Sequence, residues 1–416
     1  MLRVRLHQLW AQADRVQLVA LAALMLLGVT FVYSATMAGE PFGLVQQFTE
    51  SRFIEFVGWL SERFFFRQLI WYTIGAAAAV AFCLVDYRVL ARWSLVIYWA
   101  SMALLGAVLI PGVGAMRYGA RRWIDFGLVQ FQPTEFAKLA LILALAHYLS
   151  RPKDELKQPA VLAKAIGMFA LPFVLILKEP DLGSAVVLLP TALAMLYAAG
   201  TPGRYIRLLV GVICLLGALF LVDVLFAPPR WQIKLQEYQR RRLLVYFGRS
   251  YAPPPGASQA EIERLRKQQL DDTYHVRQAL ISIGSGGLTG KGLCKGTQNA
   301  LGYLPRTVAH NDFIFSVIAE EKGFIGSVTV LVLYAAVLFI GLRIASLARD
   351  RLGRLLAIGI VTLLFSHVFI NIGMNIRLMP VTGVPLPLLS YGGSSVVGTL
   401  IGMGLLQNIH INRKGY

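Results

Sequence analysis

Between residues 270 and 323 the chain crowds glycines, acids, bases and amides into a protein otherwise built of apolar runs. Asp271, Asp272, Gln278, Ser285, Lys291, Gln298, His310 and Asp312 fall here, and Glu320 and Glu321 follow them. In hydrocarbon surroundings such groups persist only where they face water, a ligand or one another, because an unpaired polar group there costs several kcal/mol. Between 230 and 306, 13 Lys and Arg oppose five acids, a net +8 that includes Arg242. Guanidinium forks match phosphate oxygens, so this surface suits an anionic headgroup, although general attraction to lipid phosphates would account for the charge alone. Glu135 and Lys138 stand three residues apart in an apolar run, where they can pair on one helix face. An ionisable residue in such a run is also a functional candidate. The glycines at 284–287, 290 and 292 permit close backbone approach to a ligand, or simply a turn, and they lack Walker spacing. Ser390 opens the last apolar run in SYGGSS, whose glycines favour close helix packing.

The elements that must hold these residues are membrane helices. The 416 residues are 56% hydrophobic and 15% charged, and mean hydropathy is +0.61. Soluble domains carry about 25% charged residues. Apolar runs of about 20 residues suit a ~30 Å hydrocarbon core. Ten spans are expected near 17–38, 68–86, 93–111, 134–150, 161–178, 182–200, 205–227, 324–345, 354–376 and 389–410. The net charge of +18 fits basic cytoplasmic linkers better than a nucleic-acid surface. Arg88, Arg92, Arg151, Lys153, Arg204, Arg207, Arg349 and Arg351 follow even-numbered spans, which predicts both termini in the cytoplasm. The long connections at 39–67 and 228–311 then lie outside. The first has an amphipathic, interfacial pattern. The second is long enough to be functional and contains a short solvated helix expected at 258–270. Cys83, Cys214 and Cys294 show neither metal-site spacing nor a disulfide framework. The chain reads as one all-α, polytopic membrane domain, 1–416, with its large extracytoplasmic loop between spans seven and eight.

Five ordered segments resemble the SEDS family of peptidoglycan glycosyltransferases. They are QPTEFAKLAL (132–141), EPDLGSA (179–185), QALISIGSGGLTGKG (278–292), HNDFIFSVIAEEKGFIG (310–326) and GVPLPLLSYGGSS (383–395). Gly-Val-Pro-Leu-Pro at 383–387 is similar to the elongation branch, RodA; the division branch, FtsW, more often has Gly-Leu-Thr-Phe-Pro. The resemblance implies polymerisation of lipid II outside the bacterial cytoplasmic membrane, with release of undecaprenyl pyrophosphate. A sugar 4-hydroxyl would attack an anomeric carbon, which calls for a carboxylate base and for cations on the departing pyrophosphate. It places Arg122 and Lys138 near the outer cavity, with Arg242 and Lys291 completing the cations. Gln278, Ser285, Gln298, His310, Asp312 and Ser390 are the further substrate-binding candidates. It also implies a class B penicillin-binding protein and other elongation-complex membrane proteins as partners, and no nucleic acid. A divalent cation, Mg or Mn, suits pyrophosphate chemistry, but no ligand cluster in the sequence demands one.

The chain departs from the family at the base. YQRRRLLVYF (238–247) leads into the loop as in the family, but Gly248 and Arg249 stand where Asp-Pro is usual. An insertion with Pro253, Pro254 and Pro255 follows before Asp271 and Asp272. Asp271 is the expected catalytic acid, with Asp272 beside it; two solvated loop acids would be the bland alternative. A transporter or flippase without bond formation is the rival reading. It would expect paired broken helices in repeated halves and a midplane site, whereas the polar density here lies in one loop.

Overall fold

The computed structural model describes residues 12–37, 62–117, 120–127, 130–227, 236–251, 258–304 and 309–413. Most of the interfacial loop expected at 39–67 lies outside them. The helices are α1 (Arg15–Met37), α2 (Phe64–Leu84), α3 (Tyr87–Arg92), α4 (Ser94–Val108), α5 (Pro133–Leu149), α6 (Pro159–Lys178) and α7 (Leu182–Ala199). They continue as α8 (Gly203–Phe226), α9 (Glu237–Tyr246), α10 (Gln259–Ser285), α11 (Thr297–Ala300), α12 (Ile314–Leu347), α13 (Arg351–Asn375) and α14 (Gly393–Ile411).

Each expected span falls on a helix, and seven described helices are long and apolar enough to cross a membrane. The other three differ for a physical reason. Helix α4 is apolar but 15 residues long. Helix α5 carries Glu135 and Lys138, and α14 carries Gln407, Asn408 and His410, with nearly every residue of both buried inside the protein. Polar side chains are tolerated there because the helices face protein rather than lipid. Helix α8 is the converse: it has the highest hydropathy, 2.8, and only 6% of its apolar window is buried. The chain is a multi-pass membrane protein.

The bundle closes through pairs distant in sequence. Helix α14 packs along α2, α13 between α7 and α12, and α12 against α1. Asn408 donates to the carbonyls of Phe82, Cys83 and Val85, satisfying the last turn of α2.

Three features depart from the sequence reading. A small antiparallel sheet, β1 (Gly114–Arg117), β2 (Ala120–Asp125) and β3 (Gln130–Phe131), sits between α4 and α5. The helix expected at 258–270 continues to Ser285, started by a full capping box of Ser258 and Glu261. No Gly or Pro interrupts it before Gly284. Helix α12 begins ahead of its expected span and is broken at Gly323, whose φ of 63° and ψ of −157° lie outside the helical region. The 228–311 segment is therefore largely helical where it is described, with α9, α10 and α11 inside it.

Candidate active site

The EPDLGSA motif makes the turn between α6 and α7. Asp181 is the α7 N-cap and accepts from the Ser184 backbone N–H at 3.1 Å and its hydroxyl at 2.9 Å. A Cβ on Gly183 would stand 2.8 Å from the Thr382 carbonyl and 2.6 Å from Val384, so glycine lets the 380–384 loop lie directly on this turn. Strand β2 brings Arg122 to the same place. Its guanidinium donates to the carbonyls of Glu179 and Pro180 and to the Tyr238 hydroxyl, and lies 3.9 Å from Asp181. Helix α9 closes over the turn through Tyr238 and Gln239, both donating to the Pro180 carbonyl.

Arg242, one turn further along α9, is differently placed. Among the described residues it makes a long 3.5 Å contact to the Val381 carbonyl, with the Tyr238 ring 5.7 Å from its guanidinium carbon. Gly383 has φ +75°, and a Cβ there would stand 3.3 Å from Arg242 Nη1 and 3.6 Å from Asp312 Oδ2. Arg242 and Asp312 thus face one another across a bare glycine. No ion pair joins them among the described residues. The Asp312 backbone is fixed from α13, where Asn371 and Asn375 donate to its carbonyl at 3.2 and 3.0 Å. Burial raises the Asp312 carboxyl above the ordinary range, while the charges of Arg242 and Arg122 act against that rise. A narrow cleft lined by Arg122, Tyr238, Arg242, Val381 and Thr382 opens at this point.

Glu179 lies behind the cleft, fully buried, with Oε2 accepting from Thr134 at 2.8 Å and Oε1 unpartnered among the described residues. Burial pushes its carboxyl up to about 8; Thr134 and Arg122 act against this rise and Asp181 adds to it. The raised value means that folding favours the protonated acid. Its stabilising contribution is complete below the ordinary 4.5 and is lost as pH climbs toward about 8. Glu179→Gln, which is neutral at every pH, should therefore flatten the fall in melting temperature across that window; an unchanged pH profile would show that Glu179 is ionised in the folded protein.

The other expected residues lie elsewhere. Lys138 is 1% exposed and sits inside the bundle, not in the cleft with Arg122. Its ammonium donates to Glu135 Oε1 at 2.7 Å and to His367 Nε2 at 2.8 Å, consistent with His367 Nδ1–H donating to the Leu363 carbonyl. Lys291 pairs with Glu320 at 2.6 Å, and the Gln298 backbone N–H donates to the same carboxylate oxygen. The glycine run docks on the break in α12: Lys291, Gly292 and Phe324 donate backbone bonds to Glu320, Glu321 and Gly287. Gly290, at φ +80°, leaves only 2.2 Å between a hypothetical Cβ and the Glu321 carbonyl. These glycines serve backbone contact. Ser285, at the end of α10, donates to its own helix at Ser282. Ser390 donates to the Asn311 carbonyl at 2.5 Å and accepts from the Leu386 N–H at 2.8 Å. His310 stacks on Phe64 at 4.4 Å, and its carbonyl accepts from Tyr391. Ser390 and His310 thus hold the backbone on which Asp312 stands. Gln278 is half-buried on α10; the backbones of Asp271 and Asp272 lie mid-helix, and their side chains are outside the described residues.

Residues 14–415 match the family model of the FtsW/RodA/SpoVE cell cycle proteins. The chain belongs to this family. The peptidoglycan glycosyltransferase MrdB of Escherichia coli K12 is 34% identical over 403 residues, covering 96% of this chain and 94% of that one. Among solved structures, the rod shape determining protein RodA of Thermus thermophilus is 28% identical with TM-score 0.63, covering 98% and 99% of the two chains. A chain from a peptidoglycan synthase complex that coordinates polymerisation and crosslinking is 29% identical with TM-score 0.72, covering 97% and 99%.

In this FtsW/RodA/SpoVE protein the sequence reading missed Tyr238, Gln239 and Gly383 as parts of the cleft. The β-formers Trp123 and Ile124, with Gly119 and Gly127 on either side, were the available signal for the strand that carries Arg122. Among the described residues no three His, Cys, Asp or Glu side chains gather to hold a metal ion. The described residues do not by themselves fit a divalent cation.

Proposed function

We infer that this protein polymerises lipid II into glycan strands during cell-wall elongation, at the extracytoplasmic face of the bacterial inner membrane. It is a peptidoglycan glycosyltransferase by family membership and by similarity to MrdB and RodA along nearly the whole chain. The observation that supports this cleft as the site is the Arg242 guanidinium, largely uncommitted and facing Asp312 across Gly383. In the proposed reaction the acceptor 4-hydroxyl oxygen forms a bond to the donor's anomeric carbon. The bond from that carbon to the pyrophosphate oxygen breaks, and undecaprenyl pyrophosphate leaves with its new charge against Arg242. An α10 aspartate takes the hydroxyl proton. A single displacement inverts the anomeric centre. Arg122 shapes the cleft, since most of its donors already hold the 179–181 turn and Tyr238.

A class B penicillin-binding protein is the proposed partner, alongside other elongation-complex membrane proteins; the synthase complex of polymerisation and crosslinking supports it. Incubating the purified protein with labelled lipid II, with and without that partner, should yield glycan polymer on a gel. Lipid II recovered intact in both arms would defeat the reading. The proposed topology is tested in cells on a chain lacking Cys83, Cys214 and Cys294. A cysteine at Ala260 should react with an impermeant thiol reagent added outside, and one at Lys153, an exposed residue of the α5–α6 linker, should not. The reverse labelling would put the cleft in the cytoplasm.

A further inference from the structure

The break in α12 carries two adjacent buried acids whose charge is not balanced. Glu320 and Glu321 are both 0% exposed. Among the described residues Lys291 is the one cation paired with them, 2.6 Å from Glu320 Oε1, so with both acids ionised two carboxylates and one ammonium leave a net −1 in a buried site. The first half of α12 ends here at Gly323, so both acids sit at the negative end of a helix dipole, where acids are disfavoured and cations favoured. A buried charge left in this state is normally neutralised or coordinated.

The unsatisfied atoms indicate what would neutralise it. Oε2 of Glu320, Oε2 of Glu321 and Asn299 Oδ1 are all buried without a well-aligned partner among the described residues, although the backbone N–H groups of Cys294 and Gly296 lie near the Glu321 carboxylate. The three residues converge on the 296–299 turn. A Cβ on Gly296 would stand 3.0 Å from Glu320 Oε2 and 3.3 Å from Glu321 Cγ. Ser34 donates to Glu321 Oε1 at 2.5 Å, and Asn299 Nδ2 donates to the carbonyls of Ser34 and Ala35 at 3.2 Å each. Those two bonds fix the Asn299 amide, so its oxygen is turned away from them and cannot be exchanged for a donor by flipping. Gln298 Oε1 is also buried and unpartnered. Flipping that amide supplies N–H groups for a carboxylate but cancels no charge. One proton shared between the two carboxyls cancels the charge and partners both of their free oxygens, but it leaves Asn299 Oδ1 waiting. A cation, unlike a proton, can be shared by several oxygens at once.

We propose that the break in α12 is a binding site for one hard monovalent cation of sodium's class, held by Glu320, Glu321 and Asn299. The donors are all oxygen, which selects hard ions over thiophilic ones. The net −1 selects a single positive charge over a divalent ion, which Lys291 would also repel. The Lys291 side chain is 26% exposed and marks a route in from water. The bound ion would tie α12 to the 286–292 loop that ends α10 and to Ser34 of α1, stiffening the base of the helix that carries Asp271 and Asp272.

The test uses the purified full chain in lipid nanodiscs, with sodium chloride compared against choline chloride at equal ionic strength. The expected result is a melting midpoint about 2–4 °C higher in sodium, with slower hydrogen exchange at 286–292 and 320–325. Glu321→Gln should abolish both differences. Equal midpoints and equal exchange in the two salts overturn the proposal, as does a sodium effect that survives in Glu321→Gln. A midpoint that follows pH but not sodium assigns the charge to a proton and also overturns it. If Glu321→Gln does not fold, the wild-type exchange comparison decides by itself.

Discussion

Asp272→Asn should slow lipid II polymerisation by the purified protein about 10²–10⁴-fold, the usual cost of losing a positioned general base. Asp271→Asn, at the acid the sequence placed first, should cost far less. Helix α10 is continuous through both positions, so its phase can be read from residues further along. Ala279 and Ser282 are 1% and 0% exposed, and Ile283 packs on the core, which together define the inward face. Asp272 precedes Ala279 by seven residues, close to two full turns, which puts its backbone position in line with that face. Asp271 lies about 100° round, toward the flank of Gln278 and the exposed Tyr274. Gln269 pins this part of α10 through bonds to Tyr251 and Arg249, in the segment that replaces the family's usual Asp-Pro. The assay needs both single variants and the double variant, each checked for membrane insertion and partner binding. Wild-type rates in all three would remove α10 from the chemistry and leave Asp312 as the acid to test.

Arg242→Gln should lower polymerisation about 10²–10³-fold, the scale seen when a preorganised stabiliser of developing negative charge is removed. The loss should appear in rate at saturating lipid II as well as in apparent affinity, because charge on the pyrophosphate grows as the bond breaks. Folding should hardly change, since among the described residues Arg242 makes only a long contact to the Val381 carbonyl and a distant one to the Tyr238 ring. Arg122→Gln provides the contrast. It removes donors from the Glu179 and Pro180 carbonyls and from Tyr238, so its first effect should be a lower melting temperature. If Arg242→Gln polymerises normally at limiting lipid II, the cleft is structural and the pyrophosphate binds elsewhere.

The helices were legible because hydrocarbon length and apolar composition leave few alternatives for a run such as 203–226. Arg122, Arg242 and Asp312 were legible singly, as charged residues in resembling motifs, but their convergence was not. It depends on Gly183 and Gly383 allowing the 380–384 loop to lie on the α6–α7 turn, a contact across roughly two hundred residues of chain with no local periodicity to announce it. Lys138 and Lys291 were both candidate cations for the substrate. The pairing of Lys138 with Glu135 was already open from their spacing, whereas the partner of Lys291, Glu320, is 29 residues away and only the fold brings it near. Helix α10 was expected over 258–270 only; the capping box at Ser258 starts it, and no Gly or Pro after Leu270 stops it before the glycines at 284–287.

The pairing of the last helix with the second bears on how the protein is made. Asn408 completes the end of α2, and Gln407 bonds to Asp14 and Gln17 near the N-terminus. A ribosome adding about 5–20 residues per second emits α14 some tens of seconds after α2. Throughout that interval the first two spans sit in the bilayer with their partner surface open. Helix α14, carrying Gln407, Asn408 and His410, is in turn a poor candidate to enter lipid by itself. The two defects cancel only when they meet. A nascent chain stalled before residue 393 should therefore be inserted yet unclosed, and open to quality-control proteolysis, until the final helix arrives.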